Sequence, residues 1–284
     1  MKIVIAADST CDLSPELIKE NYIKIVPLYV NIGERSLKDG IDIVPSDIFD
    51  YVDKTGSLPK TSAVPIGEFS DVFEELKKDA DAVIYFSISS GFSSSYQNAV
   101  LAAEEMENVY VIDTKNLSTG EGLLVLKACK MAREGASPEE IVKEMNVLSE
   151  RVDASFVLEN LEFLRKGGRC SALAHLGANL LGIKPCIEVV DGSMAVGKKY
   201  RGKFISVLEK YIDDKLADAE VDDEFAFFTY SETNPDYVNA GIEAVKRSGK
   251  FKNLYITKAG CTITTHCGGN TMGVLFIRKD RKIV

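Results

Sequence analysis

The chain contains no tryptophan, only two histidines, and no C-x-x-C pair among its six cysteines. These shortages exclude whole classes of chemistry. Neither His175 nor His266 is flanked by carboxylates or thiols at helical or strand spacing, so no metal-ligand set is recognisable. The scattered positions of Cys11, Cys129, Cys170, Cys186, Cys261 and Cys267 argue against zinc and against a disulfide framework, and the thiols are expected to pack reduced. No apolar run approaches the ~18 residues that a transmembrane helix requires. The opening "MKIVIAADST" is cut by Asp8 before it could act as a signal segment, so a cytoplasmic location without stable membrane insertion is expected. Positive charge is in deficit, 34 Lys and Arg against 43 Asp and Glu, which excludes the basic footprint of a nucleic-acid binder. No G-x-x-x-x-G-K-[ST] occurs, and Gly120-x-Gly122 has Val125 where a dinucleotide fingerprint needs a third glycine. Neither ATP nor NAD is expected as a cofactor.

What is present is a 284-residue chain, 45% hydrophobic, enough for one large core or two modest ones. The first half alternates short apolar runs with helical periodicity. "KIVIAA", "IKIVPLYVNI", "DAVIYFSI" and "NVYVIDT" read as strands, and helices follow at Ser14-Pro15, over "VPSDIFDYVDKTG" (opened by Ser46, closed by Gly56), "PIGEFSDVFEELKKD", "SSSYQNAVLAAEEME", and two long segments to about Arg151. "SLPKTSAV" reads as a polar loop. The alternation predicts an α/β fold, a three-layer α/β/α domain over 1–152 with a mainly parallel sheet. From 153 to 284 the rhythm becomes mixed α+β, with a hairpin signalled by Asp191-Gly192 between alternating runs.

The residues with chemical potential lie in loops. "YFSISSGFSSSYQNA" passes from strand to helix through six serines, and a loop leaving a parallel strand faces the crevice where open α/β sheets bind ligands. Ser93 falls where an N-cap or first-turn residue would, so its hydroxyl either caps the helix or receives an anion there. Thr61 and Ser62 in "PKTSAVP" are turn formers or ligand contacts by the same reasoning. A serine hydrolase acting on acyl esters, with Ser93 as nucleophile and His266 as base, is the alternative. The loop reads S-G-F-S-S rather than the G-x-S-x-G elbow, and no acid stands at a recognisable triad spacing. Asp8 closes the first strand and is expected to tie loops together by accepting backbone N–H groups.

Five segments in order, "DSTCDL" (Asp8 to Leu13), "KTSAVP" (Lys60 to Pro65), "SSGFSSSYQ" (Ser89 to Gln97), "RKGGR" (Arg165 to Arg169) and "GIKPCIEVVDG" (Gly182 to Gly192), resemble the DegV family across essentially the whole chain. The resemblance implies a bacterial fatty-acid-binding protein of the FakB type. Such a protein is no enzyme itself: it holds a long-chain fatty acid in a tunnel between two domains while a separate ATP-dependent fatty acid kinase converts the carboxylate to acyl-phosphate for phospholipid synthesis. It further implies that Thr61, Ser62, Ser93 and His266 surround the carboxylate, and that Arg169 and Arg201 face the partner or the phosphate. Leu28, Phe92, Phe156, Ile183 and the "SALAHLGANLLG" segment are the candidates for the tunnel wall. One departure stands out: family members typically carry H-T-G-P-G, whereas this chain has His266-Cys267-Gly268-Gly269-Asn270, without the proline.

Overall fold

The computed structural model describes residues 1–171 and 182–280. In the first half the elements run β1 (Ile3–Asp8), α1 (Pro15–Glu20), β2 (Lys24–Val26), β3 (Tyr29–Ile32), β4 (Arg35–Lys38), α2 (Pro45–Thr55), β5 (Lys60–Ser62), α3 (Ile66–Lys77), β6 (Ala82–Ser87), α4 (Ser95–Ala103), β7 (Val109–Asp113), α5 (Thr119–Arg133) and α6 (Pro138–Ser149). The second half contributes β8 (Val152–Leu158), α7 (Glu162–Gly167), β9 (Ile183–Val190), β10 (Ser193–Arg201), α8 (Phe204–Ala217), β11 (Phe225–Tyr230), α9 (Pro235–Arg247), β12 (Asn253–Lys258), α10 (Cys261–Cys267) and β13 (Thr271–Ile277).

Strands β2-β1-β6-β7 form a parallel sheet, β10-β9-β8-β13-β11-β12 a mixed one, and β4-β3-β5 a small antiparallel one. All six residues of β6 are buried, as expected of a central strand covered on both faces. Phe69 and Phe73 of α3 pack on one face against Tyr85, and α5 and α6 cover the other, giving the three α/β/α layers. Helix α5 then serves twice. Its other side packs on β8, β11 and β13 of the mixed sheet, so it is sandwiched between both sheets within a single hydrophobic core, and Leu123, Leu124 and Val125 are fully buried. Helices α8 and α9 close the far face of the mixed sheet.

Local chemistry explains where the structure departs from the sequence pattern. The single strand expected over "IKIVPLYVNI" is broken at Pro27, which has no N–H to offer a ladder. Its two halves join different sheets, β2 beside β1 and β3 beside β4 and β5. The loop expected at "SLPKTSAV" contains β5, an edge strand paired with β3 through Thr61↔Val30 and Ser62↔Tyr29. Ser46 does not open α2: the Asp47 carboxylate accepts the Val44 N–H at 3.0 Å instead, while Gly56 closes the helix in the left-handed conformation as expected. The hairpin turn at Asp191-Gly192 is present, both residues having positive φ, as a two-residue turn of this hand requires. All six cysteines are buried.

Candidate functional site

The loops leaving the C-terminal ends of β2, β6 and β7 meet β5 and α10 around a small cavity. It brings together Leu28, Thr61, Ser62, Phe92, Ser93, Arg169 and His266, seven of the ten residues singled out from the sequence. Ile88, Met194 and Thr262 complete much of the wall. A second small cavity is lined by Phe156, Ala259, Leu275 and their neighbours, and the two share Leu117, Ile263 and Cys267. Hydroxyls and imidazole therefore gather in the first space, and the second continues behind a partition of three side chains with a mostly apolar wall.

Only one of the six loop serines faces this space. Ser87 leans on Asp8, Ser89 donates to Gly192 O at 2.7 Å, and Ser90 donates to Asp113 at 2.6 Å. Ser94 takes the N-cap position of α4, and Ser95 is buried at its first residue. Ser93 lines the cavity, and its Oγ accepts the Ser95 N–H at 3.1 Å, so the capping role and the cavity position coexist. The loop is seated on the β9–β10 turn. A Cβ at Gly91 would lie 2.4 Å from Gly192 O, so glycine is required for the approach.

His266 stands near the end of α10, a helix that the β-branched run "TITT" does not announce. Its start is gripped by two carboxylates from the first half of the chain. Gly260 N donates to Asp12 at 2.8 Å, and the Cys261 and Thr262 N–H groups each donate to Asp39 at 2.9 Å. These are the N–H groups that a helix leaves without internal partners. The end is fixed despite the absent proline: Gly268 N donates to Thr264 O, Thr271 Oγ1 donates to Cys267 O, and Asn270 is held by Glu159 and Thr233. His266 Nε2 is hydrogen-bonded to Thr61 Oγ1 at 2.8 Å. Nδ1 lies against the Gly167 backbone and has no hydrogen-bond partner among the described residues. Burial, and secondarily the Arg169 charge, pull the imidazole down to about 4, so it is neutral at neutral pH.

Beneath the cavity floor lies a set of buried acids that the sequence reading did not gather. Asp8 accepts the Thr10 and Ile88 N–H groups at 2.9 and 2.7 Å, which is the loop-tying role expected of it. Ser118 donates to Asp12, and Thr10 donates to both Asp8 and Glu121. Burial pushes Asp8 up to about 6, Asp12 up to about 8, and Glu121 well above the carboxylate range. No signal of spacing announces this cluster, since Asp8 and Glu121 are more than a hundred residues apart.

Two of the ten candidates fall outside either cavity. Ile183 edges a surface cleft with Arg165, Lys166 and Lys184, and Arg201 pairs with it across the hairpin on an exposed surface. Both sit at the end of the hairpin remote from the turn that holds the serine loop, roughly 25 Å away at ~3.3 Å per residue. Ile183 thus borders that cleft and lines neither of the two cavities. Most of the "SALAHLGANLLG" segment lies outside the described residues. Arg169 is exposed at the mouth and donates to Gly167 O at 3.1 Å. Among the described residues no group of acids, histidines and cysteines suits a metal ion, and no helix is long and apolar enough to cross a membrane.

Known proteins share this architecture. A family profile described as "Uncharacterised protein, DegV family" matches residues 2–279. A DegV domain-containing protein of Caldanaerobacter subterraneus is 36% identical over 281 residues, 98% of this chain and 99% of the relative. The structure of a DegV family protein from Thermus thermophilus, described for its fatty acid binding, superposes with a TM-score of 0.89 at 30% identity, covering 98% of this chain and 100% of that one. One from Thermotoga maritima, described as revealing fatty acid binding function, does so with a TM-score of 0.84 at 28% identity, covering 98% and 99%. With the profile and the relatives both extending over nearly its whole length, this chain belongs to the DegV family.

Proposed function

We propose that this protein binds one long-chain fatty acid and presents its carboxylate to a separate ATP-dependent fatty acid kinase, which converts it to acyl-phosphate for phospholipid synthesis. The observation that carries the binding is the pairing of a cavity ringed by Thr61, Ser62, Ser93 and a neutral His266 with an apolar cavity directly behind it. Fatty acid binding by relatives of the same fold supports the same ligand class.

The chemistry is consistent. Burying about fourteen methylenes at ~0.8 kcal/mol each supplies ~11 kcal/mol gross, against several kcal/mol of association and ordering cost. The tail therefore drives affinity, and the hydroxyls and imidazole offset the desolvation of the carboxylate. Neutral donors also leave an oxygen free to attack a phosphoryl group, where a bidentate arginine clamp would occupy both oxygens. Arg169, exposed at the mouth, is the basic residue best placed to meet the kinase or the transferred phosphate; Arg201 would meet it only if the partner spans the hairpin. The hydrolase alternative finds less support. His266 Nε2 is engaged by Thr61 rather than Ser93, and no carboxylate among the described residues orients Nδ1.

Denaturing the purified protein, extracting with organic solvent and weighing the released lipids by mass spectrometry tests the proposal. One fatty acid per chain is expected, with no sustained turnover of a p-nitrophenyl acyl ester. An extract that stays empty after incubation with mixed fatty acids, or ester turnover abolished by Ser93→Ala, would overturn it.

A further inference from the structure

Helix α10 carries a second polar group toward the site. Thr262 lies one turn before His266, at the i and i+4 positions that share a helix face, and both line the same cavity. Thr262 is 4% exposed, and its Oγ1 is buried with no hydrogen-bond partner among the described residues. Its backbone N–H is held by Asp39, which fixes the place of the residue at the start of the helix. Buried hydroxyls ordinarily find partners. The neighbouring hydroxyls already have theirs: Thr61 Oγ1 bonds His266, and Ser93 Oγ accepts from Ser95. Thr265 Oγ1 is just as buried and just as unpaired, but it lines neither cavity.

We propose that Thr262 is a ligand contact whose hydroxyl donates to the carboxylate of the bound acid, and that the bound acid completes its hydrogen bonding. The inference rests on the reading of this cavity as a fatty acid site and adds to it the group that selects an anionic head. A carboxylate offers about four acceptor positions. It can therefore take the Thr262 donor on one side while the β5 and serine-loop hydroxyls approach from another. Because a hydrogen bond to a charged acceptor is roughly twice as strong as one to a neutral acceptor, the hydroxyl favours an acid over an alcohol with the same tail.

The test compares palmitate with hexadecan-1-ol on the intact protein, after delipidation, by competitive displacement of a fluorescent fatty acid. Thr262→Val, which keeps the shape and removes the hydroxyl, is expected to raise the Kd for palmitate about five- to tenfold and that for the alcohol by about twofold or less. Thr262→Ser should retain wild-type discrimination, and Thr265→Val should leave both affinities within about twofold. Wild-type palmitate affinity in Thr262→Val, an equal loss for both ligands, or a Thr262→Ser variant as impaired as the valine would each overturn the role of the hydroxyl alone. A wild-type protein that binds neither ligand would overturn the fatty acid reading and this inference with it.

Discussion

At the scale of single residues, the site depends on how closely His266 is approached. Gly167 is the last residue of α7, and a Cβ built there would stand 2.7 Å from His266 Nδ1. No flexible side-chain end can yield, because the imidazole is bounded on its other edge by Thr61. Gly167→Ala is therefore expected to cost about 1–3 kcal/mol of stability and to break the Nε2–Thr61 bond, which urea unfolding and histidine 15N NMR would read together. In the wild type the His266 resonance should not titrate above about pH 5; in the variant, with the ring displaced toward solvent, its pKa should rise toward the ordinary value. An alanine variant with an unchanged His266 spectrum would remove Gly167 from this role. Much of the site was legible at this scale. Thr61, Ser62, Ser93 and His266, distant in sequence, meet around one cavity. What stayed hidden were residues such as Thr262, Leu117 and Met194, whose types are ordinary for a core and whose importance arises only from what they face.

At the scale of elements, α10 is the piece that sequence pattern could not deliver. Seven residues, four of them β-branched, between glycines at 260 and 268, carry no helical periodicity long enough to read. The helix exists because Asp12 and Asp39, more than two hundred residues upstream, accept its first N–H groups. The division of "IKIVPLYVNI" at Pro27 was legible in principle, since proline cannot donate to a ladder, but the length of the apolar run concealed it. Helices with full caps and periodicity, such as α6 with Ser137 and Glu140 bonding reciprocally, followed the pattern. The clamp has a measurable consequence. Asp39→Ala leaves the Cys261 and Thr262 N–H groups buried without acceptors, at a cost of about 2–4 kcal/mol. Fatty acid retention should fall with it, because His266 and Thr262 ride on the same helix. Ser137→Ala, which removes the α6 cap, should cost about 1 kcal/mol and leave retention intact. If both variants retained lipid equally, the carboxylates would be stabilising the fold without positioning the site.

At the scale of the whole molecule, the two sheets share one core through α5, and the buried acids sit at that junction. They make stability depend on pH in an unusual direction. Asp12, raised by burial to about 8, and Glu121, which burial also raises well above its ordinary value, hold protons in the folded state that the unfolded chain has already released near neutrality. The folded state thus binds more protons, and stability must fall as pH rises through that window, by up to about 1.4 kcal/mol per pH unit for each such group. His266 acts the other way, since its lowered pKa favours folding as pH rises from about 4 to its unfolded value of 6.5 and adds no slope above that. The expected profile is a fall in urea midpoint between pH 6.5 and 8, steepest where the histidine no longer compensates. Asp12→Asn imitates the protonated acid: its amide oxygen can accept from Gly260, and its NH₂ can donate to Ser118 Oγ. It should fold, keep its ligand and flatten the slope above pH 6.5 by about one proton's share. A wild-type midpoint that rises across this range would mean that the carboxyls are ionised in the folded protein, and that the polar junction under the cavity is held by charge rather than by neutral hydrogen bonds.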